Sequence, residues 1–245
     1  MKKLGSYDIL GDIAIVGEEV TDKVCKGILK EHKNINVVLR KIGIHHGEFR
    51  TQDLEIVCGE ARKETLYKEN DVQMKLDVER CYFSPRLSTE RMRIADLVKD
   101  GEKVLVLFSG VAPYCLTIAR KAKPSLVVGV EKNPIAHEYG LWNTRKYDDI
   151  VLYNKDAKDF QYNGKFDRVL MPLPKSAEDF LDVAVKFVKK KGVIHFYDFL
   201  HENDIPDVAL AKIARKVDKF EVLDIVKCGQ FGPGKFRISV DFQVL

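Results

Sequence analysis

The 245-residue chain contains no CxxC pair, no GxGxxG and no apolar run of membrane length. The first absence, with five cysteines scattered at Cys25, Cys58, Cys81, Cys115 and Cys228, predicts reduced thiols rather than a disulfide scaffold or a structural zinc site. The second leaves a dinucleotide pyrophosphate without its glycine cradle, which speaks against a nicotinamide cofactor. The third, with a Met1-Lys2-Lys3 start that leads into no apolar signal region, predicts no membrane association and a cytoplasmic address. No metal-ligand cluster is visible: His45 and His46 are adjacent, and neighbouring side chains of an extended segment point to opposite sides. Internal repeats and low-complexity segments are also missing. Net charge is small, +4, which admits a nucleic-acid partner without requiring one. What is there is ordinary for a globular protein with a full core: 45% hydrophobic and 32% charged residues.

The stretch KVLVLFSGVAPYCLTIARKAKPSLVVGVEKNP, from Lys103 to Pro134, organises the rest. It reads as a buried strand over 104–108, a small-residue turn (Ser109, Gly110, Ala112), a helix over 114–121 and a second buried strand over 126–130 that ends on Glu131. In such a βαβ unit the turn after the first strand and the acid after the second face one crevice. A nucleoside is the natural occupant, because backbone at Gly110 can approach it and Glu131 can accept hydrogen bonds from both ribose hydroxyls.

In chain order, 5–16 reads as strand, turn and strand about Gly11-Asp12. A helix over 21–32 follows, capped by Thr21, with Val24, Ile28 and Leu29 on one face. Strands are expected over 36–40, 54–58, 64–68 and 72–77, the last as an edge strand, with a polar loop over 42–51. This gives a small α+β domain over residues 1–80. Residues 81–100 form a junction: Pro85 breaks the extended chain, Ser88 or Thr89 caps, and a helix over 91–98 turns Met92, Ala95 and Leu97 or Val98 inward. Residues 101–245 alternate strands (150–153, 168–171, 193–196) with helices, and 221–228 and 236–244 close the chain as a long antiparallel hairpin. A mostly parallel sheet with one reversed strand near its end is the architecture of Rossmann-like class I methyltransferases, so the fold class is α/β.

GEFRT (Gly47 to Thr51), FSPRLSTER (Phe83 to Arg91), LFSGVAP (Leu107 to Pro113), VEKNP (Val130 to Pro134) and LMPLPKSAEDFL (Leu170 to Leu181) occur in that order. Together they resemble the archaeal and eukaryotic tRNA guanine-37 N1-methyltransferases over nearly the whole chain. The aminocarboxypropyl transferases of wybutosine synthesis are a sister family with the same two-domain core. The resemblance implies S-adenosylmethionine as cofactor and the tRNA anticodon loop as partner; a monomer is expected, and methyl transfer from a sulfonium requires no metal. N1 of guanine carries a proton, so methylation needs a base and a cation for the charge that develops at O6. The resemblance assigns these to Glu90 and Arg50. It further implies that Glu131 binds the cofactor ribose, Asp156 lies by the adenine edge, and Arg86 positions a phosphate or the methionine carboxylate. Phe108 is expected to line the cofactor pocket beside Gly110, and Tyr82 and Phe83 to fill core.

The family strand usually ends Asp-Met-Phe-Ala-Gly-Val-Gly-Pro, whereas Val106 stands here for the acid and Ala112 for the second glycine. Its Asn-Leu-Pro is here Pro172-Leu173-Pro174, and proline has no amide to hold a guanine. Pro172 is expected to line the methyl end of the cofactor instead. Many archaeal methyltransferases of this family carry a further N-terminal tRNA-docking domain that this sequence does not show. Three functions are thus compatible with the residues: methyl transfer, aminocarboxypropyl transfer, and RNA binding without catalysis.

Overall fold

The computed structural model describes residues 7–173 and 175–245. Met1-Lys2-Lys3, Gly5, Ser6 and Pro174, which figure in the sequence reading, lie outside the described residues. Strands β1 (Asp8–Leu10) and β2 (Ile13–Val16) form the hairpin about Gly11-Asp12. Gly11 has φ +58°, and a Cβ there would run into Thr65 and the Leu66 carbonyl, so both the turn and the contact demand glycine. Helix α1 (Asp22–Glu31) leads to β3 (Val37–His46), parallel to β2, and β4 (Thr51–Gly59) returns antiparallel, giving the order β1-β2-β3-β4.

Residues 42–46 do not form the expected polar loop. They continue β3, pairing Ile42 with Asp53 and His46 with Thr51, and only 47–50 turn. This end of the ribbon stands clear of the core, so its sequence carries no inward apolar face; Ile44 is 83% exposed. The thiols also differ from expectation. Cys25 and Cys58 are joined as a disulfide, with Cα atoms 6.4 Å apart, where α1 lies on β4. The partners are 33 residues apart in sequence, and only the packing of the helix brings them together. Closing a loop of that size contributes about 3–4 kcal/mol in the chain-entropy account. Alkylating the denatured, unreduced protein should label Cys81, Cys115 and Cys228 alone, and reduction should lower the denaturant midpoint. Labelling of all five before reduction would dispose of the bridge.

Strands β5 (Glu64–Glu69) and β6 (Val72–Asp77) pair as a separate ribbon. Its buried Val72 and Met74 share an apolar cluster with Ile94, Val104 and Tyr114, so the ribbon packs mainly on the unit that follows. A 3₁₀ turn (Pro85–Leu87) opens α2 (Ser88–Leu97), which starts at Ser88 rather than at 91 because Pro85 already sets helical φ. The helix buries Ile94, Ala95, Glu90 and Arg91, while Leu97 is 42% exposed. Ala95 and Val98 turn inward as the periodicity predicts, but Glu90 and Arg91 also take core-facing positions that no apolar pattern marks. Arg91 is held there by Glu69, both nearly inaccessible, and by the Ser84 carbonyl at 3.1 Å.

The larger unit runs β7 (Lys103–Leu107), α3 (Pro113–Lys121), β8 (Leu126–Glu131), α4 (Pro134–Thr144), β9 (Ile150–Asn154) and β10 (Phe166–Met171). It continues with α5 (Leu181–Phe187), β11 (Val188–His201), α6 (Asp207–Ala214), β12 (Phe220–Gly232) and β13 (Lys235–Val244). Its seven strands are ordered β12-β13-β11-β10-β7-β8-β9. All are parallel except β13, which is antiparallel to both neighbours, β11 and β12. Val104, Leu105, Val106 and Leu107 are all fully buried, as a strand covered on both faces requires. The chain leaves β7 toward β8 on one side and later returns to β10 on the other, and that switch of direction opens a crevice at the carboxyl ends.

Candidate active site

The crevice is a cavity of about 390 Å³ between the carboxyl ends of β7, β8, β9 and β10, the 47–50 turn and the junction residues Tyr82, Phe83 and Ser84. Arg50, Phe108, Gly110, Glu131, Asp156 and Pro172 all line it. The turn after β7 is conformationally unusual: Phe108, Gly110 and Ala112 have φ of +58°, +56° and +70°. Left-handed backbone costs a residue with a Cβ about 1–2 kcal/mol, so Phe108 and Ala112 are held there by their surroundings. The reversal at Phe108 swings its ring out of the strand onto Phe180, edge to face at 4.8 Å.

Glu131 locks this turn. One carboxylate oxygen accepts the Gly110 N–H at 2.7 Å and the other the Asn133 N–H at 2.7 Å. Burial pushes its pKa up, and the backbone donors at Asn133, Gly110 and Lys132 pull against that rise. Asn133 caps α4 by accepting from Ile135 N–H at 3.0 Å, and it donates to the Arg80 carbonyl at 2.9 Å. Ser109 Oγ is buried on the same wall and has no hydrogen-bond partner among the described residues. Asp156 accepts the Lys158 N–H at 2.9 Å and pairs at 2.8 Å with Lys132, which holds it below the usual carboxylate range. Lys132 also pairs with Glu48, tying the end of β8 to the 47–50 turn.

Arg50 has φ +53° and its guanidinium lies 5.8 Å from the centroid of the Tyr82 ring. Tyr82 is therefore a wall residue. Phe83 touches the cavity too, but its ring packs into apolar clusters and on Tyr67 at 5.2 Å. Two sequence-predicted residues are not on the wall. Arg86 is on the outside, its side chain 73% exposed and paired with Asp8 at 2.8 Å. Glu90 is 4% exposed and sits behind the wall. Its carboxylate accepts Arg93 Nε and Nη2 at 2.8 Å each and Tyr197 Oη at 2.5 Å. Tyr114, itself on the wall, donates to Tyr197 Oη at 3.3 Å. Arg93 is shared with Asp241 at 2.6 Å, and these two carboxylates raise its pKa over the opposing effect of burial.

Sequence reasoning passed over Lys132, Asn133, Tyr114 and Tyr197. An Asn-Pro pair directly after a strand is a helix-start signal that would have found Asn133. Tyr197 carries no local signal, since only the β10–β11 pairing brings it under α2.

Val106, in place of the family's acid, is fully buried among Ile94, Tyr114 and Leu170 and does not reach the cavity. Valine there contributes about 1.5–3 kcal/mol of burial and leaves no charge to be paired. The TRM5/TYW2 methyltransferase domain description matches residues 65–226, and that of the TYW2 N-terminal domain matches residues 2–62. The tRNA (guanine(37)-N(1))-methyltransferase Trm5b of Pyrococcus abyssi is 37% identical, over 98% of this chain and 74% of its own. The tRNA(Phe) (4-demethylwyosine(37)-C(7)) aminocarboxypropyltransferase of Methanocaldococcus jannaschii is 30% identical, over 96% of each chain. A solved complex of aTrm5 with tRNALeu superposes with a TM-score of 0.87 at 31% identity, covering 98% of this chain and 72% of that one. With the fold, the crevice and these matches in agreement, the chain belongs to the TRM5/TYW2 methyltransferase family.

Proposed function

We propose that the chain methylates N1 of guanosine 37 in the anticodon loop of tRNA, using S-adenosylmethionine. The carrying observation is the Glu131-locked turn beside the Arg50–Tyr82 pair: one half of the cavity suits a nucleoside cofactor and the other a guanine. The residues fit the cofactor. Glu131 offers polar contacts for a ribose, and Gly110 has nothing nearer to an added Cβ than the Tyr82 carbonyl at 3.9 Å, so backbone is open to a ligand. Phe108 and Phe180 supply apolar surface, Asp156 an acceptor for an adenine amino group, and the Pro172 ring a boundary at the methyl end. When bound, the cofactor supplies a methyl group activated on a sulfonium.

The chain's own residues then align and deprotonate. Tyr82 and Arg50 hold the guanine, with the Arg50 guanidinium set against the negative charge that grows at O6. Glu90 is the base. Its hydroxyl contacts give the proton a route: Tyr114 donates to Tyr197 and Tyr197 donates to Glu90, so every donor already points toward the carboxylate. A proton taken up at Tyr114 Oη shifts along the pair, each hydroxyl passing on its own, and ends on Glu90. Arg93 and Asp241 keep the carboxylate in place.

The match of residues 2–62 to the TYW2 N-terminal domain favours a second reading, transfer of the aminocarboxypropyl group from the same cofactor. Product mass decides between them. An unmodified tRNA transcript bearing guanosine 37, incubated with the protein and S-adenosylmethionine and then digested to nucleosides, should yield N1-methylguanosine. The aminocarboxypropyl relative acts on 4-demethylwyosine 37, so a tRNA carrying that nucleoside is the second substrate: a product bearing the larger group on it would establish the second reading, and an unchanged guanosine transcript would overturn the first.

A further inference from the structure

We propose that the end of β11 and the β12–β13 hairpin form a second nucleotide subsite, where Arg237 takes a backbone phosphate and Phe231 stacks on the base next to the target. This rests on the RNA-modifying reading above. Arg237 on β13 pairs in the ladder with Phe199 of β11 and with Gly229 of β12, so the three stand in a row across the sheet. The Arg237 guanidinium is 5.0 Å from the Phe199 ring centroid, and the Phe199 and Phe231 rings are 4.3 Å apart at 36°. Phe231 is 59% exposed, an aromatic ring presented to water at the tip of the hairpin. Beside Arg237 the surface is open, because a Cβ added to Gly229 meets nothing within 4 Å.

The electrostatics ask for an anion. Arg237 Nε is buried and has no partner among the described residues, while its Nη2 donates to the Tyr82 hydroxyl at 3.3 Å. Arg40, Arg62, Arg91, Arg93 and Arg168 each pair with a carboxylate. Among the described residues Arg237, Arg50 and Arg145 have aromatic rings instead, and the first two both contact Tyr82. They are close enough that Arg237 adds to the burial that lowers the Arg50 pKa. The fold thus leaves this guanidinium without a counter-charge among the described residues, and a phosphate set against it supplies one. Cations interleaved with exposed rings are how single-stranded nucleic acid is held, since every base has a face to stack and every nucleotide a charge. Tyr82 belongs to both places, as cavity wall and as partner of Arg237, so a strand with its target base in the cavity sets the adjoining nucleotide on Phe231.

The test is fluorescence anisotropy with a synthetic anticodon stem-loop carrying guanosine 37, and with two versions made abasic at one or the other neighbour. Phe231→Ala and Arg237→Ala should each weaken binding about tenfold, with S-adenosylmethionine affinity unchanged and Phe231→Trp restoring the wild-type value. Arg237→Ala should also reduce the slope of log K against log salt by about 0.7. One of the abasic versions should cost the wild type as much as Phe231→Ala does and cost that variant nothing further. Wild-type affinity in both alanine variants, or an undiminished abasic penalty in Phe231→Ala, would overturn the subsite while leaving the RNA reading intact. Failure of the wild type to bind the stem-loop, with cofactor binding normal, would overturn both together.

Discussion

Glu90→Gln is expected to lower turnover on tRNA by about 10²–10⁴-fold while leaving S-adenosylmethionine affinity unchanged. Glutamine keeps the volume of a side chain that is 4% exposed, so the wall formed in front of it by Tyr114 and Arg91 stays in place. What goes is the acceptor of the guanine proton. One of the two Arg93 donors then faces an amide nitrogen, and Arg93 keeps only its 2.6 Å pairing with Asp241 as a charged partner. Stability should fall by about 1–3 kcal/mol for that buried mismatch. Single-turnover rates, calorimetric titration with the cofactor and a denaturant melt separate the three effects. Tyr197→Phe breaks the hydroxyl route and retains the carboxylate, so it should lose less than Glu90→Gln. Undiminished turnover in Glu90→Gln would remove Glu90 from the role of base, and undiminished turnover in Tyr197→Phe would remove the relay.

Glu131→Ala is expected to weaken S-adenosylmethionine binding by about 10²-fold or more. The Gly110 and Asn133 N–H groups lose their acceptor, and each hydrogen bond to a charged group is worth about 1.5–3 kcal/mol. The left-handed turn over Phe108, Gly110 and Ala112 is then no longer tied to β8. A titration in which the variant binds as tightly as the wild type would show that the turn holds without its lock. The pH dependence carries a sign that can be checked. Burial raises the Glu131 pKa above its ordinary 4.5, so between 4.5 and the raised value the folded state holds the proton more firmly than the unfolded chain does. This residue therefore adds stability at pH below 4.5 and loses that contribution as pH climbs through the raised value. Cofactor affinity should move the opposite way, rising with pH over the same window, because ribose hydroxyls donate to the carboxylate form. A flat affinity profile across that window would place the ribose elsewhere.

The three departures from the family pattern have different physical meanings. Val106 is core and leaves the cavity untouched. Ala112 takes left-handed backbone at the start of α3, and its methyl group is fully buried, so part of the conformational cost is offset by packing. Pro172 stands on the wall, where its ring can bound the ligand and its missing N–H can donate nothing. This last change bears most directly on how the target base is gripped. It shifts that task toward Arg50 and Tyr82, the wall residues nearest the proposed guanine.

Residues that act through local chain geometry were legible in the sequence. The βαβ stretch from Lys103 to Pro134 announces itself by composition, because buried parallel strands are apolar throughout and the turn between strand and helix needs small residues. The reversed last strand was equally visible, as two long segments about a glycine-rich turn, and Glu131 followed from its place at a strand end. The N-terminal ribbon was only half legible: residues 42–46 pair as a strand but face water, so no alternation marks them. Partnerships across the fold were not legible at all. Nothing in the spacing of Cys25 and Cys58, of Glu90 and Tyr197, or of Tyr82 and Arg237 says that they meet, for the members of each pair sit on elements whose approach depends on how helices and strands stack. Local chain pattern was thus enough for the architecture, the crevice and the acid that marks it. Only packing across the fold settled that Glu90 is held behind a tyrosine pair, that Arg86 faces outward to Asp8, and that an arginine near the end of the chain stands beside the Tyr82 hydroxyl, because these contacts join elements whose approach is set by how strands and helices stack and not by sequence distance.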